Sequence, residues 1–295
     1  MATSSLKSKP RYRGRIAPSP TGWLHLGHAR TFWTAQERAR ERNGVLVLRN
    51  EDLDPDRSKQ EFVAGMYEDL QWFGFEWQEG PDCGGAFGPY SQSERRKFYV
   101  EAFEKLRAGN FIYPCACSRK DLQSAAGAPH AADDELIYPG TCRPKAGSKF
   151  EVPSLEVRSG SLKAGSNFRF LVPDGKVISF TDGHYGPQRF VAGKDFGDFV
   201  VWRHDGVPAY QLAVVVDDAA MQITEVARGA DLLLSTARQI LLYRALGLEP
   251  PAFYHCPLLT DERGARLAKR HDALSLRALR AQGASPEELR EKLNR

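Results

Sequence analysis

RIAPSPTGWLHLGHAR, running from Arg15 to Arg30, reads as the end of a buried strand, a tight turn and the start of a helix. Gly14, Arg15, Ile16 and Ala17 close the strand, and Pro18, Ser19, Pro20, Thr21 and Gly22 are strong turn formers. From Gly27 to Arg42, small and aromatic residues (Ala29, Phe32, Trp33, Ala39) recur at helical spacing with charges between them. His25 and His28 therefore fall three apart where the helix begins. A helix start presents unpaired N–H groups and a partial positive charge, which suit a phosphate. Two imidazoles on one helical face can both donate to the same anion.

Working outward, Gly44 to Leu48 is a continuous apolar run suited to a strand covered on both faces. It ends in Arg49, Asn50, Glu51, Asp52, Leu53, Asp54 and Pro55, and acidic residues at the end of a parallel strand face the ligand crevice of an open α/β sheet. Ser58 with Glu61 predicts a capping box and a helix towards Gly74, and a further helix is expected over Glu94 to Ala108. From Phe111 to Gln188 the texture changes to short strands, Asn167 to Val172 and Lys176 to Phe180, set among Gly, Pro and Ser. The α/β pattern returns at Arg189. Val207 to Val216 reads as an apolar strand ending in Asp217 and Asp218, and Asp231 to Leu246 as a helix stopped by Gly247. The segment from Thr260 onward is charged and helical, with Ser285, Pro286 and Glu288 as a second cap.

The expected fold class is thus α/β, a parallel sheet with crossover helices that is interrupted by an inserted module and followed by a short helical C-terminal segment. The divisions are a flexible tail over 1–10, the first half of the α/β unit over 11–110, the insert over 111–188, the second half over 189–255 and the C-terminal segment over 256–295. A hydrophobic fraction of 42% excludes a disordered chain. No apolar run approaches a membrane span, and MATSSLKSKP lacks the apolar core of a signal peptide, so a cytoplasmic protein is expected. The formal charge of +4 permits an RNA partner without demanding one.

Five cysteines, an odd count, argue against a disulfide framework. Cys115 and Cys117 form a Cys-x-Cys pair, and Cys142 follows Tyr138, Pro139, Gly140 and Thr141. Three thiolates lack one donor of a tetrahedral zinc site, and an insert short of apolar residues gains folding energy from a metal. Cys83 and Cys256 read as ordinary thiols.

The motif APSPTGxLHxGHAR resembles the HIGH signature of class I aminoacyl-tRNA synthetases, and RIAPS, the Glu51-Asp52 pair, AYQLAVVVDD and EVARGADL resemble the glutamate-specific branch in the same order. The resemblance implies a Rossmann-type catalytic sheet and adenylyl transfer. It implies that Arg15, Ile16, Ala17, Pro18, Ser19, Glu51, Tyr210 and Arg228 bind L-glutamate, with Glu51 on the ammonium and the two arginines sharing the carboxylates. ATP with Mg2+ would be held by His25, Gly27, His28, Arg266 and Lys269, of which His25, His28 and Lys269 are catalytic. The run Arg263 to Arg270 resembles the KMSKS loop, with Arg266 in place of its first lysine and Ala268 in place of its serine.

CxC followed by YxxxC is similar to the zinc site of glutamyl-queuosine tRNA(Asp) synthetases, which implies Cys115, Cys117, Tyr138 and Cys142 as ligands of a structural Zn2+, with His130 the rival to Tyr138 for the fourth place. Few residues follow Lys269, where full-length glutamyl enzymes continue into an anticodon-binding part. Together these features imply tRNA-independent activation of glutamate and its transfer to queuosine in the anticodon of tRNA(Asp). The expected partners are L-glutamate, ATP and that tRNA, with neither DNA nor a membrane, and the chain is expected to be a monomer. A truncated glutamyl-tRNA synthetase charging tRNA(Glu) and a catalytically idle RNA-binding paralogue remain as alternatives.

Overall fold

The computed structural model describes residues 11–118, 137–145, 151–153, 166–259 and 275–293, together with 121, 155, 157–158 and 161–162. The chain opens with β1 (Arg13–Ile16), α1 (Leu26–Glu41) and β2 (Val45–Leu48). β1 and β2 pair in parallel, Arg13 opposite Val45 and Ile16 opposite Leu48, and α1 packs against both as their crossover. All four residues of β2 are buried, as a strand covered on both faces requires. α2 (Gln60–Phe73) and α3 (Arg96–Ala108) follow. α2 ends where expected, at Gly74 in the left-handed conformation (φ 93°), a backbone state that glycine adopts without a Cβ clash. Its start differs from expectation. Lys59 takes the N-cap without a side-chain bond, and the Ser58 hydroxyl is buried with no hydrogen bond, so the Ser58–Glu61 capping box does not form.

Next come β3 (Ile112–Cys115), the hairpin β4 (Val157–Arg158) and β5 (Ser161–Leu162), β6 (Asn167–Phe170), β7 (Val177–Asp182), β8 (Gly186–Val191) and β9 (Phe199–Trp202). β3, β6 and β9 form an antiparallel sheet in the order β3-β6-β9. The remaining elements are α4 (Tyr210–Ala220), β10 (Glu225–Gly229), α5 (Leu233–Leu246), β11 (Ala252–Cys256), α6 (Leu276–Ala281) and α7 (Pro286–Leu293). β10 and β11 are parallel, with α5 between them in sequence and Gly247 closing that helix at φ 68°. β10 packs beside β1, where the Thr224 backbone N–H donates to Arg13 O at 2.9 Å. β7 continues from β11 through the parallel pair Asp182–Phe253, and β8 is antiparallel to β7. The strands expected within one insert are therefore divided between two sheets.

The largest departure from the sequence reading is α4. AYQLAVVVDD is a helix, not a strand. It packs between α3 and α5, so every residue from Leu212 to Asp218 is buried and no polar face interrupts the apolar run. At the C-terminal side, Ser285 and Glu288 do form a reciprocal capping box, Glu288 N–H to Ser285 Oγ at 3.2 Å and Ser285 N–H to Glu288 Oε2 at 3.3 Å. Leu276, Leu289 and Leu293 join the core formed by α1, α2 and β1. Among the described residues no helix is long and apolar enough to cross a membrane.

Candidate active site

The turn after β1 delivers His25 to the N-cap of α1 and His28 to its third position, and the two form a cap of their own. His25 Nδ1 accepts from the N–H groups of Gly27 (3.1 Å) and His28 (3.4 Å), while His28 Nδ1 accepts from the His25 N–H at 3.4 Å. The rings stack with centroids 3.6 Å apart. Burial pushes both imidazoles down in pKa, His28 to about 3 with His25 contributing, so both are neutral at physiological pH. With each Nδ1 accepting, the single ring proton of each lies on Nε2. The helix start thereby keeps two neutral N–H donors that are not consumed by its own cap. Such donors suit an anion without the cost of burying a second charge.

A buried ion network sits behind this turn. Arg49 is wholly buried and donates from Nη1 to Asp218 Oδ1 at 2.6 Å and from Nη2 to Glu51 Oε1 at 3.0 Å. Arg15 reaches the same Asp218 oxygen at 3.3 Å and the Ala227 carbonyl at 3.0 Å. Arg95 meets Asp217 at 2.6 Å, and Gln92 and Tyr99 also donate to Asp217. Burial raises the Glu51 carboxyl against the pull of Arg49. Burial also works on Asp218, but Arg49 and then Arg15 outweigh it and hold its carboxyl below the usual range. Both aspartates come from the last turn of α4, where adjacent helical positions can serve two neighbouring arginines.

Arg228, on β10, is buried but placed differently. Its Nε–H donates to His255 Nε2 at 3.2 Å and its Nη2 to Thr236 Oγ1 at 2.6 Å, both neutral acceptors, and Nη1 is buried with no hydrogen bond. Burial, the largest influence, lowers its pKa.

One cleft of about 800 Å³ joins these parts. Arg15, Ala17, Pro18, Ser19, His25, Gly27, His28, Glu51, Tyr210 and Arg228 all line it, although they come from five separate stretches of the chain. Ile16 does not. Its side chain is in the core and its carbonyl accepts from the Arg49 N–H. Arg266, Ala268 and Lys269 lie outside the described residues, as does His130. The residues flanking the basic loop, Leu259 and Ser275, both line the cleft. Arg49, Asp217, Asp218 and His255 were missed in the sequence. An arginine directly after a fully apolar strand was the available signal for Arg49.

A second cavity of about 1590 Å³ shares Ser19, Thr21, Glu51 and Tyr210 with the first and runs to Cys115, Cys117 and Tyr138 past Arg57, Arg169 and Arg203. At its far end the sulfurs of Cys115, Cys117 and Cys142 lie within 4.8 Å of one another. The Tyr138 hydroxyl is 3.5 Å from Cys115 Sγ and 3.6 Å from Cys117 Sγ, and accepts from the Cys142 N–H at 2.7 Å. A tetrahedral zinc with bonds of about 2.3 Å to sulfur sets its ligands roughly 3.8 Å apart, so this donor set fits one. Arg169 is buried against the cluster, donating to Cys115 Sγ at 3.2 Å with its guanidinium 3.9 Å over the Tyr138 ring. Cys83 is exposed and Cys256 buried, both free thiols.

Residues 11–295 match the family model described as tRNA synthetases class I (E and Q), catalytic domain. The chain belongs to that family. It is 50% identical over 92% of its length, and 82% of theirs, to a glutamyl-Q tRNA(Asp) synthetase of Nitratidesulfovibrio vulgaris, and 52% identical over 93% of its length to one of Symbiobacterium thermophilum, covering 83% of it. Within the family it therefore falls among the glutamyl-Q tRNA(Asp) synthetases. A solved glutamate tRNA ligase of Elizabethkingia meningosepticum in complex with its amino acid superposes with a TM-score of 0.73 at 30% identity over 88% of this chain. The chain spans about half of that structure, 52% of its length.

Proposed function

We propose that this enzyme activates L-glutamate with ATP, without RNA, and transfers the glutamyl group to queuosine in the anticodon of tRNA(Asp). The observation that carries the reading is the common cleft in which a two-histidine helix cap faces a pocket of two arginines and a carboxylate. In the activation step the glutamate α-carboxylate attacks the α-phosphate of ATP in line, a new carboxyl–phosphate bond forms, and pyrophosphate leaves with the electrons of the bond that breaks. Glu51 accepts the ammonium of the substrate, and Arg15 and Arg228 receive its two carboxylates by charge-assisted bonds. Charge gathering on the α-phosphate is met by the Nε2–H groups of His25 and His28, already oriented by their cap, so little reorganisation is needed as the reaction proceeds. Magnesium bound with ATP supplies charge neutralisation for the triphosphate. Lys269 and Arg266 are proposed to serve the departing pyrophosphate, a reading supported by the described residues on either side of them in sequence, Leu259 and Ser275, which line the cleft.

The larger cavity, opening from Ser19, Glu51 and Tyr210, is the proposed route for the acceptor nucleoside. Cys115, Cys117, Tyr138 and Cys142 would hold a structural zinc at its far end. The decisive experiment is glutamate-dependent exchange of labelled pyrophosphate into ATP. Exchange without RNA supports the proposal, exchange only with tRNA(Glu) supports a truncated glutamyl-tRNA synthetase, and no exchange under any condition supports an idle paralogue.

A further inference from the structure

We infer that Asp182 and His255 are positioning residues for Arg228, together fixing the orientation in which its guanidinium meets the carboxylate of the substrate at the cleft wall. The inference rests on the glutamate-binding reading of the cleft, and goes beyond it by assigning a task to two residues that do not line the cleft.

Arg228 and His255 are paired across the parallel strands β10 and β11, so their side chains leave the sheet on the same face. Asp182, at the end of β7, pairs on the other side of β11 with Phe253, two positions before His255. His255 and Asp182 are fully enclosed, with the His255 side chain 0% exposed. Asp182 receives four donors: the backbone N–H groups of His184 (3.0 Å), Tyr185 (2.9 Å) and His255 (3.1 Å), and the His255 ring at 2.6 Å from Nδ1. Although burial opposes it, those donors keep the carboxyl below its ordinary pKa, so Asp182 is an anion that can only accept. The ring proton of His255 therefore sits on Nδ1, and Nε2 carries a lone pair. That lone pair takes the Nε–H of Arg228 at 3.2 Å, which a protonated Nε2 could not do.

Thr236, on α5, closes the arrangement. Its hydroxyl accepts from Arg228 Nη2 at 2.6 Å and lies 3.1 Å from the same Nε2. Two edges of the guanidinium are thus fixed by neutral acceptors. No carboxylate of the described residues bonds to it, in contrast to Arg15, which already leans on Asp218. Nη1 is buried without a hydrogen bond of its own, Tyr210 stands beside the guanidinium, and Arg228 and Tyr210 both line the cleft. A carboxylate in place of His255 would have neutralised the arginine, whereas an imidazole orients it without doing so. Asp182 fixes which nitrogen faces the arginine.

The test separates orientation from simple packing. His255→Asn keeps a donor near Nδ1 for Asp182 but removes the acceptor for Arg228, while His255→Gln can set an amide oxygen where Nε2 was. In RNA-free pyrophosphate exchange, His255→Asn should raise the KM for glutamate roughly 10- to 150-fold, the value of a lost hydrogen bond to a charged group, with the KM for ATP near wild type. His255→Gln should stay within about 5-fold of wild type for glutamate. Equal KM values for glutamate in both variants, or a parallel rise in the KM for ATP, would overturn the inference. Side-chain 15N NMR of the wild type supplies a readout independent of catalysis: a proton on Nδ1 with a bare Nε2 supports it, and a proton on Nε2 refutes it. Should wild-type protein show no glutamate-dependent exchange, the proposed function falls, and the NMR result alone decides whether Asp182 and His255 orient Arg228.

Discussion

Replacing Arg49 with methionine tests the ion network most directly, because a single side chain of similar reach then leaves two buried carboxylates, Glu51 and Asp218, without their shared partner. Removing one member of a buried ion pair costs about 3–5 kcal/mol; here Asp218 keeps its bond to Arg15, and Glu51 is the carboxylate left buried without its ion-pair partner. At about 2–4 °C per kcal/mol, the melting temperature should fall by roughly 6–20 °C. The effect on substrate follows from Glu51. Burial already raises its pKa, and Arg49 is the strongest opposing influence, so without Arg49 the carboxyl is pushed further up, its neutral form gains ground and its attraction for an ammonium group weakens. Loss of one charge-assisted bond of about 1.5–3 kcal/mol corresponds to a roughly 10- to 150-fold higher KM for glutamate. Because the raised group ionises again as pH increases, the KM of the variant should fall back towards wild type on the alkaline side. Differential scanning calorimetry and pyrophosphate exchange from pH 6.5 to 9 measure both effects. An Arg49→Met protein with unchanged melting temperature and unchanged KM at neutral pH would refute the reasoning.

Three further outcomes are expected. His25→Ala should lower the rate of adenylate formation roughly 100- to 1000-fold, as for loss of one preorganised donor, while glutamate binding measured by calorimetry changes little; equal losses in both would remove the histidine from its assigned role. Wild-type protein purified in zinc should carry about one equivalent per chain and Cys117→Ser close to none, read with a colorimetric chelator, since a closed structural site needs all four donors. The buried histidines set an acid limit: His28 and His255 have folded pKa values of about 3 and about 4, below the ordinary 6.5. The unfolded chain then binds protons first, so the stability these neutral rings contribute is complete above pH 6.5 and is lost as pH falls towards 4, by roughly 3 kcal/mol for His255 alone. A urea midpoint that does not move between pH 7 and 5 would contradict this.

The strand-turn-helix at Arg15 to Arg30 was legible because its turn formers, glycines and histidines each have a local role that no distant contact overrides. Gly74 and Gly247 were legible as helix ends for the same reason, both adopting positive φ. α4 was not legible, since a helix buried on every side shows no polar stripe, and a run of valines carries strand propensity that tertiary packing reversed. Misreading it also hid the partnership of Asp217 and Asp218 with Arg49 and Arg95, because successive residues of a strand face opposite ways while those of a helix do not. The Asp182–His255–Arg228 arrangement depends on three strands meeting in register, and no spacing along the chain encodes that.

The cap shared by His25 and His28 ties architecture and reactivity to the same rings. The inward nitrogens hold the first turn of α1, and the outward ones are the donors proposed to meet a nucleotide. Acid that reached either ring would loosen the scaffold and alter its donors in one event, so no mild protonated form exists in which the helix stands while the chemistry is merely slowed. His25→Asn divorces the two duties: an amide oxygen can still cap the helix, and what disappears with the imidazole is the reach towards phosphate.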